Sequence, residues 1–257
     1  MSLKGKLALI TGCSGGIGAA TAHALARQGC SIAVHYNSAE EKAKALAKTI
    51  QDLNTSSDAS VRAVTFQADL STFEPYVRRL HAQVVETMGH PDILFNNAGA
   101  TIKTIGRMGS IQDVSVEEFE TTWRLNTGSS YLLTQLCLPH MIDQKYGRVV
   151  LSSPTKIGTG GVVGPHYASS KSALHGLFHW IAARHAKDGI TCNAVAPALI
   201  IETGMFSNPT DEMRAMIPVG RLGVPDEIAS IVELLVTNAY MTNKIIVADG
   251  GWTAGAF

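Results

Sequence analysis

The sequence predicts an α/β fold in which a doubly wound, mostly parallel sheet of about seven strands carries helices on both faces, three layers in all. Three observations support this. Short β-branched runs alternate with helical segments along the whole chain. The first strands are apolar on both faces, as strands covered on each side by helices must be. A glycine-rich stretch, Thr11-Gly12-Cys13-Ser14-Gly15-Gly16-Ile17-Gly18, lies between the first strand and the first helix.

Leu7–Thr11 reads as the first strand, Ile17–Gln28 as a helix with Ala and Leu on its buried face, and Ser31–Tyr36 as the second strand. Ser38 and Glu41 have capping-box spacing, which predicts a helix through Leu53. Residues 54–60 form a polar loop. Further strands are expected at 61–66, 92–95, 148–152, 190–195 and 245–247, and helices near 73–88, 117–142, 167–187 and 226–238. No linker or repeat divides residues 1–257, so one domain is expected, with residues 204–218 as a lid bearing apolar Met205, Phe206, Met213 and Met216.

Among the 257 residues, Lys+Arg and Asp+Glu both number 21, a balance that gives no electrostatic reason to expect nucleic acid or an acidic membrane as partner. No apolar run approaches the roughly 18 residues of a membrane span. The opening residues do not resemble a secretory signal. Cys13, Cys30, Cys137 and Cys192 lack paired spacing and suit free thiols in a reducing, cytoplasmic setting.

In such sheets ligands lie beyond the carboxyl ends of the strands. The glycines after the first strand let the backbone approach a diphosphate, and the following helix offers free amides. A tight strand-to-helix turn is the bland alternative. After the third strand, Asp69-Leu70 could meet an adenine or simply cap a turn. Beyond the fourth, Asn96-Asn97-Ala98-Gly99 reads as a turn or as a ribose wall. Tyr167 and Lys171 are four apart on a helix and share a face. A cation beside a phenol favours the phenolate, so a lowered Tyr167 pKa and a proton donor usable near neutral pH are expected. Ser115 and Glu118 predict a capped helix whose centre, Asn126-Thr127-Gly128-Ser129-Ser130, has poor helix preference and invites a distortion. Close packing of small residues is the alternative there.

Together these motifs, with Asp249-Gly250-Gly251 near the end, make the chain resemble the short-chain dehydrogenases/reductases, a Rossmann-type family, over nearly its full length. The resemblance implies hydride transfer between a nicotinamide cofactor and a carbonyl or alcohol, and a homotetramer or homodimer. It implies that Gly12, Ser14, Gly15, Gly16, Ile17, Gly18, Asp69, Leu70, Asn97, Ala98 and Gly99 bind cofactor. Tyr167 would donate the proton, and Lys171 would lower its pKa and hold the nicotinamide ribose. Ser153 would hydrogen-bond the substrate oxygen, and Asn126 would support a water-mediated proton path to Lys171. Ser153 stands fourteen residues before Tyr167, one more than the commonest spacing, and Ser152 is the adjacent candidate. Pro197, Ala198, Ile200 or Ile201, and Thr203 fall where the family contacts the nicotinamide, although Ala198 replaces the usual Gly and Thr203 comes one residue late.

At the end of the second strand, Tyr36-Asn37-Ser38 lacks the acid that would repel a 2'-phosphate, which favours NADP(H) over NAD(H). No Arg or Lys stands there, and Gly15 occupies a place that is often basic in NADP-dependent members. The resemblance looks nearest to 3-oxoacyl-(acyl-carrier-protein) reductases, and an apolar lid suits an acyl thioester or another hydrophobic ketone. The alternatives are a dehydrogenase of a secondary alcohol or sugar, and a non-catalytic dinucleotide sensor. His175 and His179 have metal-ligand spacing, but a helix face against another subunit is the favoured reading and no metal is expected. Lys103 and Arg107 read as an ordinary solvated loop.

Overall fold

A computed structural model describes residues 2–53, 61–153, 162–203 and 210–253. Seven strands, β1 (Leu7–Ile10), β2 (Ser31–Tyr36), β3 (Ala63–Gln67), β4 (Ile93–Asn96), β5 (Gly147–Ser152), β6 (Ile190–Pro197) and β7 (Ile245–Ala248), form one sheet in the order β3-β2-β1-β4-β5-β6-β7. Every neighbouring pair is parallel. The order reverses between β1 and β4, which opens a crevice at their carboxyl ends.

The helices are α1 (Gly16–Arg27), α2 (Glu40–Asp52), α3 (Glu74–Met88), α4 (Val116–Trp123), α5 (Ser129–Asp143), α6 (Pro165–His185), α7 (Asp211–Ala215) and α8 (Pro225–Thr237). Alternate strand residues face two separate cores. Ala8, Ile10, Phe95 and Val150 pack with residues of α1, α2 and α8. Leu9, Leu94, Val149 and Leu151 pack with residues of α3, α5 and α6. Strands covered on both faces in this way account for the near-continuous apolar runs of β1 and β4.

Most expected elements stand within a residue or two of their predicted limits. One cap does not. Ser38 is exposed, the N-cap of α2 is Ala39, and no side chain caps that helix end. The helix starts at Glu40, too late for the Ser38 hydroxyl to meet its first amides, and Ser38 instead offers its carbonyl to Glu40 N at 3.1 Å. The Ser115–Glu118 capping box is present at α4. The expected break in the long helix is a π-helical turn at Arg124–Gly128 between α4 and α5. There the Ser129 and Ser130 hydroxyls donate to the Leu125 and Asn126 carbonyls. A Cβ on Gly128 would lie 2.7 Å from the Phe73 ring, so close packing also applies. Of the expected lid, 204–209 lie outside the described residues; α7 occupies part of the remainder, with Met213 half-buried and Met216 exposed.

Candidate active site

The glycine turn and the end of β4 are built as one unit at the sheet's switch point. Thr11 Oγ1 accepts from the amides of Asn97 and Ala98 at 3.0 and 2.9 Å. Asn97 Nδ2 returns bonds to the Thr11 and Gly12 carbonyls at 3.0 and 3.2 Å. Gly12 has φ +62, and a Cβ there would sit 3.1 Å from Ala98 Cα. At Gly18 a Cβ would come 2.5 Å from the Gly12 carbonyl oxygen. Side chains are thus excluded where the backbone must come close, whereas Gly15 faces open space beyond the Gly12 carbonyl at 3.5 Å. This turn opens α1, whose N-cap is Gly15 with no side-chain cap bond. Its first amides are the donors a diphosphate would meet.

A residue not singled out in the sequence braces the turn from below. His35, buried on β2, accepts from Gly12 N through Nδ1 at 3.0 Å. Its Nε2 lies 3.0 Å from the Ala68 carbonyl, so that nitrogen carries the proton. Burial lowers the His35 pKa to about 4, and the ring stays neutral. The available signal was a polar residue inside the otherwise apolar run Ile32–Tyr36.

Asp69 caps a 3-10 turn at Leu70–Thr72, accepting from Ser71 N at 2.9 Å and Ser71 Oγ at 2.6 Å. That is the bland reading of Asp69, and Leu70 beneath it is buried. Tyr36 is buried, while Asn37 and Ser38 are exposed at the rim of the crevice.

Across the crevice, α6 brings Tyr167 and Lys171 to the end of β5. Lys171 is 4% exposed and its Nζ donates to the Ser152 carbonyl at 3.0 Å. Gly99 joins this group to the crevice: a Cβ there would lie 2.9 Å from Lys171 Nζ and 3.0 Å from Asn126 Oδ1. Asn126 is fully buried in the π turn, where its side chain accepts from Ala100 N (3.0 Å) and donates to Ala100 O and Ser170 Oγ (both 3.1 Å). Thr127 Oγ1 adds a bond to the Ser170 carbonyl at 2.7 Å. The π turn therefore ties the loop after β4 to α6.

The pKa expectation for Tyr167 is reversed. Burial pushes its phenol up to about 12 and the Lys171 ammonium down to about 8. Both groups have lost water, which disfavours their charged forms. Among the described residues no hydrogen bond joins the Tyr167 phenol to Lys171 or Ser153. A phenol held protonated remains a proton donor across the neutral range.

Ser153 follows β5 and is fully buried on the α6 side, with Oγ 3.0 Å from His175 Nε2 and 3.4 Å from the Lys171 carbonyl. His175 is half-buried, with its Nε2 turned toward Ser153, while His179 is exposed. His166 is buried as well, with Nε2 3.0 Å from both the Thr101 and Lys103 carbonyls, and it holds the loop after β4. Lys103 donates to Glu118 Oε2 at 3.4 Å. Among the described residues no group of three or more His, Cys, Asp or Glu could hold a metal.

Beyond β6, Thr203 Oγ1 donates to the Ile200 carbonyl at 2.9 Å, and Ile200 pairs with Gly223 as an isolated bridge. This loop abuts the glycine turn, because a Cβ on Gly16 would lie 2.4 Å from the Glu202 carbonyl oxygen. Pro197 ends β6, and Ala198 and Ile200 line a cavity of about 220 Å3 toward α8 that excludes Tyr167 and Lys171.

A parallel sheet with a glycine turn at its switch point, across from a half-buried Tyr and a buried Lys one helical turn apart, defines a dinucleotide-dependent oxidoreductase. Residues 6–214 match the family described as short chain dehydrogenase, and the chain belongs to that NAD(P)-dependent family. It is 35% identical to an L-rhamnose 1-dehydrogenase (NADP(+)) of Thermoplasma acidophilum, over 98% of this chain and 97% of the relative. A versicolorin reductase of Emericella nidulans is 33% identical, over 97% of this chain and 96% of its own length. Among solved structures, a putative NAD(P)-dependent gluconate 5-dehydrogenase of Beutenbergia cavernae with bound NADP superposes with a TM-score of 0.84 at 26% identity, covering 98% of each chain.

Proposed function

We propose that this chain interconverts a secondary alcohol and its carbonyl with NADP(H), that its substrate is a hydroxylated small molecule of the sugar or cyclic ketone kind, and that Tyr167 is the acid–base residue. The observation that carries the reading is the packing of Gly99 against both Lys171 and Asn126, which brings the proton-handling residues to the crevice behind the glycine turn.

The residues fit a dinucleotide. Gly12, Ser14, Gly15, Gly16, Ile17 and Gly18 would receive the diphosphate, and Asn97, Ala98 and Gly99 would line the ribose side with Lys171. Asp69 and Leu70 would border the adenine, and Pro197, Ala198, Ile200 and Thr203 the nicotinamide end. When bound, the nicotinamide supplies or accepts the hydride. In reduction, Tyr167 Oη gives its proton to the substrate oxygen, and in oxidation it takes one back. Ser153 donates to the same oxygen and stabilises charge developing there. Asn126 fixes the π turn from which a water path would run to Lys171.

NADP(H) is favoured because Tyr36, Asn37 and Ser38 present no carboxylate to a 2'-phosphate. The NADP(+) specificity in the rhamnose dehydrogenase's name agrees. By their names the relatives act on L-rhamnose and on versicolorin, and they give a 3-oxoacyl thioester no support. Exposed Phe119, Tyr131 and Trp180 on α4, α5 and α6 suit contact with a second copy of the chain in a homodimer or homotetramer.

A panel of L-rhamnose, other aldoses, gluconate, cyclic ketones and 3-oxoacyl thioesters, each assayed with NADP(H) and NAD(H), tests the proposal. Fastest turnover of a sugar or cyclic ketone with the phosphorylated cofactor is expected. Turnover of thioesters alone, or with NAD(H) alone, would reject it.

A further inference from the structure

Helix α6 carries a third polar side chain in line with the first two. Tyr167, Lys171 and His175 follow one another at four-residue intervals and share a face. The 3.0 Å contact between His175 Nε2 and Ser153 Oγ is the closest partner of a fully buried hydroxyl. Its other partner, the Lys171 carbonyl at 3.4 Å, is long for a hydroxyl donor. The His175 ring packs edge-on against Phe178, with centroids 6.0 Å apart and planes at 74°, and Phe178 is fully buried in the core. The imidazole is therefore held in place, and burial lowers its pKa and favours the neutral ring.

A neutral imidazole donates from one nitrogen and accepts at the other. Were Nε2 the acceptor, the Ser153 proton would be spent on His175, leaving nothing for a substrate oxygen. With the proton on Nε2, the ring donates to Oγ, and the hydroxyl proton is held only by the long bond to the Lys171 carbonyl. We propose that His175 is a positioning residue which, by donating from Nε2 to Ser153 Oγ, leaves the Ser153 hydroxyl free to donate to the substrate oxygen beside Tyr167. This rests on the reading of Ser153 as a donor to that oxygen.

The test is a double-mutant cycle read as kcat and KM for the panel substrate turned over fastest, at saturating NADP(H), with nucleotide binding by fluorescence as the check on folding. Ser153→Ala is expected to lower kcat roughly 100-fold, as loss of one oxyanion donor does. His175→Leu should lower it about tenfold, a part of that effect, with KM little changed. The double variant should be no slower than Ser153→Ala. His175→Gln, which can present an N–H toward Oγ, should recover most of the loss. Wild-type kcat in His175→Leu, or a full further tenfold loss on the Ser153→Ala background, would overturn the proposal. If Ser153→Ala alone keeps wild-type kcat, the reading of Ser153 fails first and the proposal falls with it.

Discussion

Replacing Gly99 by Ala tests the joint between the cofactor crevice and the proton-handling residues. The added methyl would lie 2.9 Å from Lys171 Nζ, 3.0 Å from Asn126 Oδ1 and 3.4 Å from Lys171 Cε. Ordinary contact needs roughly half an ångström more, so one neighbour must give way. Asn126 is fixed by three hydrogen bonds to Ala100 and Ser170, each worth about 1 kcal/mol. Lys171 Nζ holds one, to the Ser152 carbonyl, at the end of a flexible stem. Lys171 should therefore move while the fold persists. Overpacking of this kind destabilises by about 1–2 kcal/mol, which lowers Tm by about 2–8 °C for a chain of this size. Misplacing a reacting group by a fraction of an ångström to one ångström can cost about 100-fold in kcat. Thermal melting and steady-state kinetics on one preparation separate the two effects. A folded Gly99→Ala protein with kcat within about twofold of wild type would refute the argument that these groups work at contact distance.

Three further outcomes follow from particular contacts. His35→Leu removes the acceptor of Gly12 N–H and the donor to the Ala68 carbonyl; denaturant unfolding should show a loss of about 2–4 kcal/mol, and weaker nucleotide binding should accompany it. Because the folded-state pKa of His35 is depressed to about 4 from 6.5, its contribution is complete above 6.5 and is lost as pH falls through about 4. His35→Leu should therefore flatten that acid limb, and an unchanged limb would count against the assignment. Lys171, depressed from 10.5 to about 8, contributes stability above 10.5 that is lost as pH falls through about 8. Between those limits wild-type melting temperature, without nucleotide, should rise with pH relative to Lys171→Met; parallel curves would contradict this. Gly15 faces open space, so Gly15→Arg should fold normally and lower KM for NADPH more than for NADH, with equal effects on both cofactors as the contrary result.

Periodicity and turn chemistry made the sheet readable, because β1 and β4 are buried on both faces and their glycine and asparagine turns stand at the switch point. The π turn was also legible: five residues of poor helix preference interrupt an otherwise helical run, and the distortion falls there. What stayed hidden was decided by tertiary neighbours. Ser38 has the local sequence of a cap, yet the chain enters α2 one residue too late to use it. The i, i+4 spacing put Tyr167 beside a cation, but burial of both groups, invisible in the spacing, reversed the direction of its pKa. His35 and His175 find their partners on other strands or after them, and no local pattern announces a hydrogen bond to Gly12 or Ser153.

The central claim is that the Tyr167 hydroxyl, and not merely the ring, performs the proton transfer beside a bound nicotinamide. Tyr167→Phe keeps the ring and removes only that oxygen. Titration with NADPH alongside single-turnover measurement should show affinity within about twofold of wild type and a hydride-transfer rate reduced by about 100-fold or more. An unchanged rate in a variant that still binds the cofactor would contradict the account.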